Sequence, residues 1–375
     1  MKPDIILHIG TEKTGSTSIQ KLLRSSEEHL SKSGILFPKS LGNLCHINFT
    51  ACALGKSPEH PIRMLRGLKD QKLFLDFVKK IKNNLKEEIK RTSPSVVVIS
   101  DEHINVHLSN TESLLAFKEL CEEFGEIKSV IIYLRRQDDF RLSMFSQGVR
   151  SGGLSSFLTF GPLPIFKTIP YRLNYLQMLN NLSSIFGDDV LIPKIYDRST
   201  FPNNDIRADF IKVSGINIPF VRGSSGGDNK SIDARIIKHL ALISSLLKKI
   251  NRSWSEKLRR SIIKKCENIF TGTSLVLKQE AHDLFMEQFD SQNEIVKKKY
   301  FGHLQGDVDL FPKTLFRNSD VTQVYPDCAI SWLSFFVQYL VGLATSDAIN
   351  NVASKSQADS ALKDLQKDMS NDERL

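Results

Sequence analysis

Three short apolar runs constrain the fold of this chain more than any other feature. They are Ile5–Ile9 (IILHI), Ser95–Ser100 (SVVVIS) and Lys128–Leu134 (KSVIIYL). Near-continuous runs of this length are what strands buried on both faces of a parallel sheet require. Between them lie segments of helical period. Lys72–Arg91 carries Phe74, Phe77, Val78, Ile81, Leu85 and Ile89 on one side and lysines on the other, the pattern of a helix packed along one stripe. Ser16–Leu30, Thr111–Phe124, Gln137–Arg150, Tyr171–Phe186 and Asp205–Gly215 read as further helices, and Pro94 stops the helix before the second run. Asp189–Tyr196 gives a fourth strand, near an edge because Pro193 has no N–H to donate. Gly34–Phe37, closed by Pro38, reads as a short extended run. Alternating strands and helices over residues 1–215 predict a parallel sheet covered on both faces, with the ligand beyond the C-terminal ends of the strands.

The remainder predicts a helical region, with helices at about 231–250, 255–270, 279–300 and 331–345, and a polar tail that frays. This divides the chain into an α/β core over 1–230, a helical part over 231–350 and a tail over 351–375. Ser151–Pro170, rich in Gly, Ser, Pro and Phe, is the kind of long irregular segment that forms a lid or stays mobile. The net charge of +9 over 375 residues suits an anionic ligand, but its spread does not point to nucleic acid. The basic run Lys248–Lys265 reads as the solvated face of two helices; otherwise it guides an acidic glycan or touches an anionic membrane surface. Five widely spaced cysteines without a C-x-x-C pair predict a reduced, cytoplasmic protein and no zinc site. The N-terminus has no signal-peptide pattern. Ala329–Ala344 is too short and too polar for a membrane span and reads as a buried helix.

The first run feeds the loop Gly10-Thr-Glu-Lys13-Thr-Gly15-Ser16-Thr17 and then a helix. A strand, a Gly- and Thr-rich loop and a helix N-terminus form an anion cradle, because free backbone N–H groups and the helix dipole face the ligand. The two glycines keep the spacing of the ATP/GTP loop, G-x-x-x-x-G-K-[ST]. Ser16 stands where that loop has its lysine, however, and the lysine has moved inward to Lys13. In a parallel sheet the three strand ends, Lys13, Glu102 and Arg135, converge on one edge.

This loop resembles the 5′-phosphosulfate loop of sulfotransferases that use PAPS (3′-phosphoadenylyl sulfate), in which a Lys or Arg precedes a [ST]-G-[ST]-[ST] run. Arg135 at a strand end with Ser143 eight residues on matches the pair with which these enzymes grip the nucleotide's 3′-phosphate; Arg136, Arg141 and Ser146 are rivals. The usual Pro of R-x-P is absent, with Gln137 in its place. Weaker likenesses at Ile195–Arg198, Asp209-Phe210, Asp228–Ser231 and Asn293–Phe311 extend the resemblance over most of 1–312. It implies a P-loop-like three-layer α/β fold with a helical C-terminal extension. It further implies that Lys13, Thr14, Gly15, Ser16, Thr17 and Ser18 hold the 5′-phosphate, with Arg222 as a further 3′-phosphate ligand. The base is Glu102, at the strand end where related enzymes place a catalytic acid or histidine; the other candidates are His103, which continued extended geometry turns to the opposite side, and His46, on a polar loop after the first helix. The donor is PAPS, no metal is required, and the acceptor is a hydroxyl of a carbohydrate or glycolipid head group. A P-loop kinase or NTPase, and a nucleotide-binding module without turnover, are the alternatives.

Overall fold

Side chains alternate along the three apolar runs, and this alternation sorts the core into two layers. In the computed structural model, residues 2–55, 58–152, 163–219 and parts of 232–311 are described, all within one unit, Met1–Arg317. Five parallel strands form one sheet: β1 Asp4–His8, β2 Ile35–Leu36, β3 Val96–Ser100, β4 Glu126–Leu134 and β5 Leu191–Ile195, in the order β2-β3-β1-β4-β5. Pro193 lies in β5, an edge strand bonded to β4, where a missing donor is tolerated.

Ile5, Leu7, Val97, Ile99, Val130 and Ile132 face one layer. This layer is built from α3 (Ile47–Cys52), α4 (Pro61–Leu65), α5 (Gln71–Thr92), α7 (Thr111–Glu122) and the helices Tyr175–Phe186 and Asp290–Tyr300. Ile6, Val98, Ile131 and Tyr133 face the other, with α1 (Ser16–Ser25), α2 (Glu27–Lys32) and the helix Ile206–Ser214. The architecture is therefore a parallel α/β sheet flanked by helices on both faces. Sequence details differ at a few ends. Ser16–Leu30 breaks into α1 and α2 at Ser26, and the two-residue β2 forms a strand where the sequence suggested an extended run. Residues Ser253–Ile269 and Gln279–Glu287 are helical. The predicted helix at 331–345, the tail 351–375 and residues 153–162 of the irregular segment lie outside the described residues.

Register explains how the strand ends meet. His8, the last residue of β1, is opposite Ser100, the last of β3, and opposite Ile131 of β4. β4 thus continues three residues past β1, to Leu134, and carries Arg135 up alongside the loop that follows β1. Because β3 and β4 lie on opposite sides of β1, the chain reverses its direction of winding there, and the crevice beyond β1 is where ligands bind in such sheets.

One core residue gives the fold an acid limit. His8 is fully buried, its Nδ1 2.8 Å from Ser100 Oγ, with its ring against Tyr133 and Phe210. Burial pushes its imidazole from the ordinary 6.5 down to about 3. Below pH 6.5 the unfolded chain takes up a proton that the fold refuses until about pH 3, so stability is lost as pH falls through that window and is unaffected above it. His8→Phe is expected to flatten the fall of melting temperature with acid; an unchanged slope would assign that sensitivity to other groups.

Candidate functional site

The loop after β1 is shaped by backbone that ordinary residues avoid. Lys13 and Gly15 both have positive φ, 66° and 81°. At Gly15 a side chain would also crowd Ile206, whose Cγ2 would lie 3.0 Å from its Cβ. For Lys13 the left-handed conformation costs about 1 kcal/mol, so its placement is held by other contacts. The Thr11 hydroxyl donates to the Tyr133 carbonyl (2.7 Å), the Thr14 hydroxyl to the Thr11 carbonyl (2.7 Å), and Arg135 Nη1 to the Lys13 carbonyl (3.0 Å). Thr11 and Thr14 are buried; Thr14 therefore offers a ligand its backbone N–H rather than its hydroxyl.

Helix α1 starts at Ser16 with no side-chain cap and no acid in its first turn. The N–H groups of Ser16 and Thr17 have no acceptor inside the helix and stand at the positive end of its dipole. The Ser18 N–H differs, for it bonds the Gly15 carbonyl at 2.9 Å, which leaves Ser18 its hydroxyl.

Charge gathers around this turn. Lys13, Arg135 and Arg150 are all half-buried. Burial, followed by the positive charge of Arg150, holds the Lys13 ammonium below its usual range; Arg135 adds to this, while Glu12 and Glu102 pull the other way. Arg150, at the C-terminal end of α8 (Gln137–Ser151), is also 2.7 Å from Glu267, and Glu12 pairs with Arg172 at 3.0 Å. A half-buried lysine crowded by two guanidinium groups is an arrangement whose repulsion and desolvation a bound anion would relieve.

Glu102 borders the same loop. Gln20 Nε2 of α1 donates to Glu102 Oε2 (2.8 Å), and a Cβ on Gly10 would lie 3.4 Å from Glu102 Cβ. The carboxylate is thus oriented from the helix that the loop opens.

The two histidines behave differently from their expectation. His46, read as lying on a polar loop, is fully buried at the start of α3. Its Nδ1 accepts the Ser100 N–H (3.2 Å), its own N–H donates to the Ser100 carbonyl (3.1 Å), and its ring packs on Phe37. Burial pushes it down to about 3. It is a neutral staple between two segments and cannot reach a substrate. For His103, the extended geometry that would turn it away from its neighbour does not continue. Glu102 is already helical, and α6 (His103–His107) begins directly. The His103 ring bonds back to Asp101 Oδ1 (2.7 Å) and to the Cys45 thiol; burial, the largest single influence, lowers its imidazole, but Asp101, Cys45 and the charge of Glu102 together raise it to about 10. Held protonated, it is a poor proton acceptor at neutral pH, which leaves Glu102 as the candidate base.

Of the rivals to Arg135, Arg136 is buried and locked on Asp138 (3.0 Å), which His282 also reaches (2.8 Å). Ser146 is buried and accepts the Ile232 N–H, and Arg141 lies over the Phe166 ring, with burial lowering it to about 10. Ser143 is half-buried in the second turn of α8. Arg222 and the region 220–231 lie outside the described residues. Thr11, Gln20 and Arg150 join the site without having been singled out from the sequence. The spacing of Gln20 four residues after Ser16, one helical turn on, was the available signal for it; Arg150 had none.

Comparison with known proteins adds a distant relative. No family model matches the chain, and no solved structure matches it. An uncharacterised protein of Archaeoglobus fulgidus is 27% identical over 213 residues, 55% of this chain. Those residues are 54% of that protein, so the chain spans about half the length of the relative it matches. Among the described residues, no helix is long and apolar enough to cross a membrane.

Proposed function

We propose that the chain is a PAPS-dependent sulfotransferase that moves a sulfuryl group to a hydroxyl acceptor. The observation that carries this reading is the juxtaposition of Lys13, Arg135 and Glu102 at three neighbouring strand ends, around an uncapped helix N-terminus. A displaced lysine within a phosphate cradle suits a donor whose leaving group is a phosphate and whose transferred group is sulfuryl. The N–H groups of Thr14 to Thr17 and the hydroxyls of Ser16, Thr17 and Ser18 hold the 5′-phosphate. Lys13 neutralises the charge that builds on it as the bridging oxygen leaves, and Arg135 with Ser143 takes the 3′-phosphate through a guanidinium fork. Glu102, fixed by Gln20 at one oxygen, accepts the acceptor's proton with the other as its oxygen attacks sulfur in line. Charge stabilisation and positioning do this work. The acceptor class, a carbohydrate or a glycolipid head group, follows from the family resemblance.

The test is transfer of radiolabelled sulfuryl from PAPS to a panel of glycans and glycolipids. Labelled product with at least one acceptor, lost in Glu102→Gln, supports the reading. Label transfer that survives Glu102→Gln unchanged would remove Glu102 as the base.

A further inference from the structure

We propose that Cys45, Asp101 and His103 bind a divalent transition-metal ion of the zinc class. One donor atom from each, a cysteine sulfur, a carboxylate oxygen and an imidazole nitrogen, lie within 4.8 Å of one another. Zinc bonds of about 2.0–2.3 Å arranged as a tetrahedron hold ligand atoms about 3–4 Å apart, so small side-chain movements close the set. Metal binding replaces the His103–Asp101 hydrogen bond with two coordinate bonds and releases to solvent the proton that His103 holds in the metal-free chain.

The fold assembles these three groups deliberately. His46 is zipped onto Ser100 by two hydrogen bonds, which sets its neighbour Cys45 beside the end of β3, where Asp101 follows. The turn that delivers Cys45 requires glycine at its start, since Gly42 has a φ of 144° and a Cβ there would lie 2.2 Å from the Cys45 carbonyl oxygen. Arg24 ties this turn to α1 through the carbonyls of Asn43 (2.6 Å), Gly42 (3.3 Å) and Phe37 (3.1 Å). Asp101 is completely buried, and its carboxylate is oriented by the Thr50 hydroxyl and the His103 N–H, the outer support that ligating carboxylates need. A thiolate, an imidazole and a carboxylate favour zinc, cobalt or iron over magnesium or calcium, which prefer all-oxygen sites. Three protein ligands leave a fourth position for water or an acceptor hydroxyl, and the residue between two of the ligands is Glu102. The wide cysteine spacing that predicts no zinc site speaks to paired cysteines, whereas here each ligand type comes once, from two segments far apart in sequence.

The experiment titrates cobalt(II) into the tag-free full chain after chelator treatment and follows absorbance. One equivalent is expected to give the sulfur-to-cobalt charge-transfer band and the visible bands of a tetrahedral site, both abolished by zinc. Cys45→Ser is expected to lose the charge-transfer band, with circular dichroism unchanged, and Thr50→Val to weaken binding about 10–100-fold. No uptake at one equivalent, or a charge-transfer band that persists in Cys45→Ser, would overturn the proposal. Nucleotide binding by the chelator-treated chain is a separate readout, so failure of the metal site and failure of the sulfotransferase reading are distinguishable.

Discussion

Lys13→Ala is expected to lower kcat for sulfuryl transfer at least about a hundredfold, with the melting temperature nearly unchanged. The magnitude follows from removing a preorganised charge at the position where negative charge develops, which is worth about 3 kcal/mol in comparable sites. The small effect on stability follows from what Lys13 contributes to the fold. Its side chain packs no core, and the Arg135 contact is to its backbone carbonyl, which alanine retains. Alanine inherits the same left-handed φ of 66°, so the strain is neither added nor relieved. Lys13→Gly separates the two effects further: it removes the strain, stabilising the loop slightly, and is still inactive. Transfer rates and thermal melts of both variants check this. A collapse in melting temperature in parallel with lost activity would make Lys13 a structural residue.

Arg135→Ala is expected to weaken nucleotides bearing a 3′-phosphate about a hundredfold and those lacking it less than tenfold. A charge-assisted guanidinium–phosphate contact is worth about 1.5–3 kcal/mol, and that part is selective. The unselective part comes from the hydrogen bond of Arg135 to the Lys13 carbonyl, 3.0 Å, whose loss loosens the loop after β1 for every nucleotide. Arg135→Lys keeps the charge but loses the fork, and should fall between the two. Calorimetric affinities for matched nucleotides decide it; equal weakening of both classes would leave Arg135 as a brace for the loop and nothing more.

How far the sequence carried can be judged from particular residues. The three central strands were legible because burial on both faces forces unbroken apolar runs, and Pro193 marked its strand as an edge. The convergence of Lys13, Glu102 and Arg135 followed from parallel topology alone. What was not legible depends on register and on contacts between distant segments. That β4 runs three residues beyond β1, lifting Arg135 to the Lys13 carbonyl, is set by pairing. His46 looked like an accessible imidazole because nothing nearby in sequence shows that its ring Nδ1 and its own N–H are both bonded to the backbone of Ser100. His103 was assigned an orientation from strand geometry that ends one residue too early, where α6 begins. Cys45 carried no pattern, since its partners lie more than fifty residues away in the chain.

The central claim rests on the nucleotide, and the most direct measurement is calorimetric binding of 3′-phosphoadenosine 5′-phosphate against ADP and ATP, in EDTA and then with Mg²⁺. The account predicts tight binding that needs the 3′-phosphate and is the same with and without Mg²⁺. Preference for ATP in the presence of Mg²⁺, with no gain from a 3′-phosphate, would contradict it and make the loop that of a kinase or NTPase.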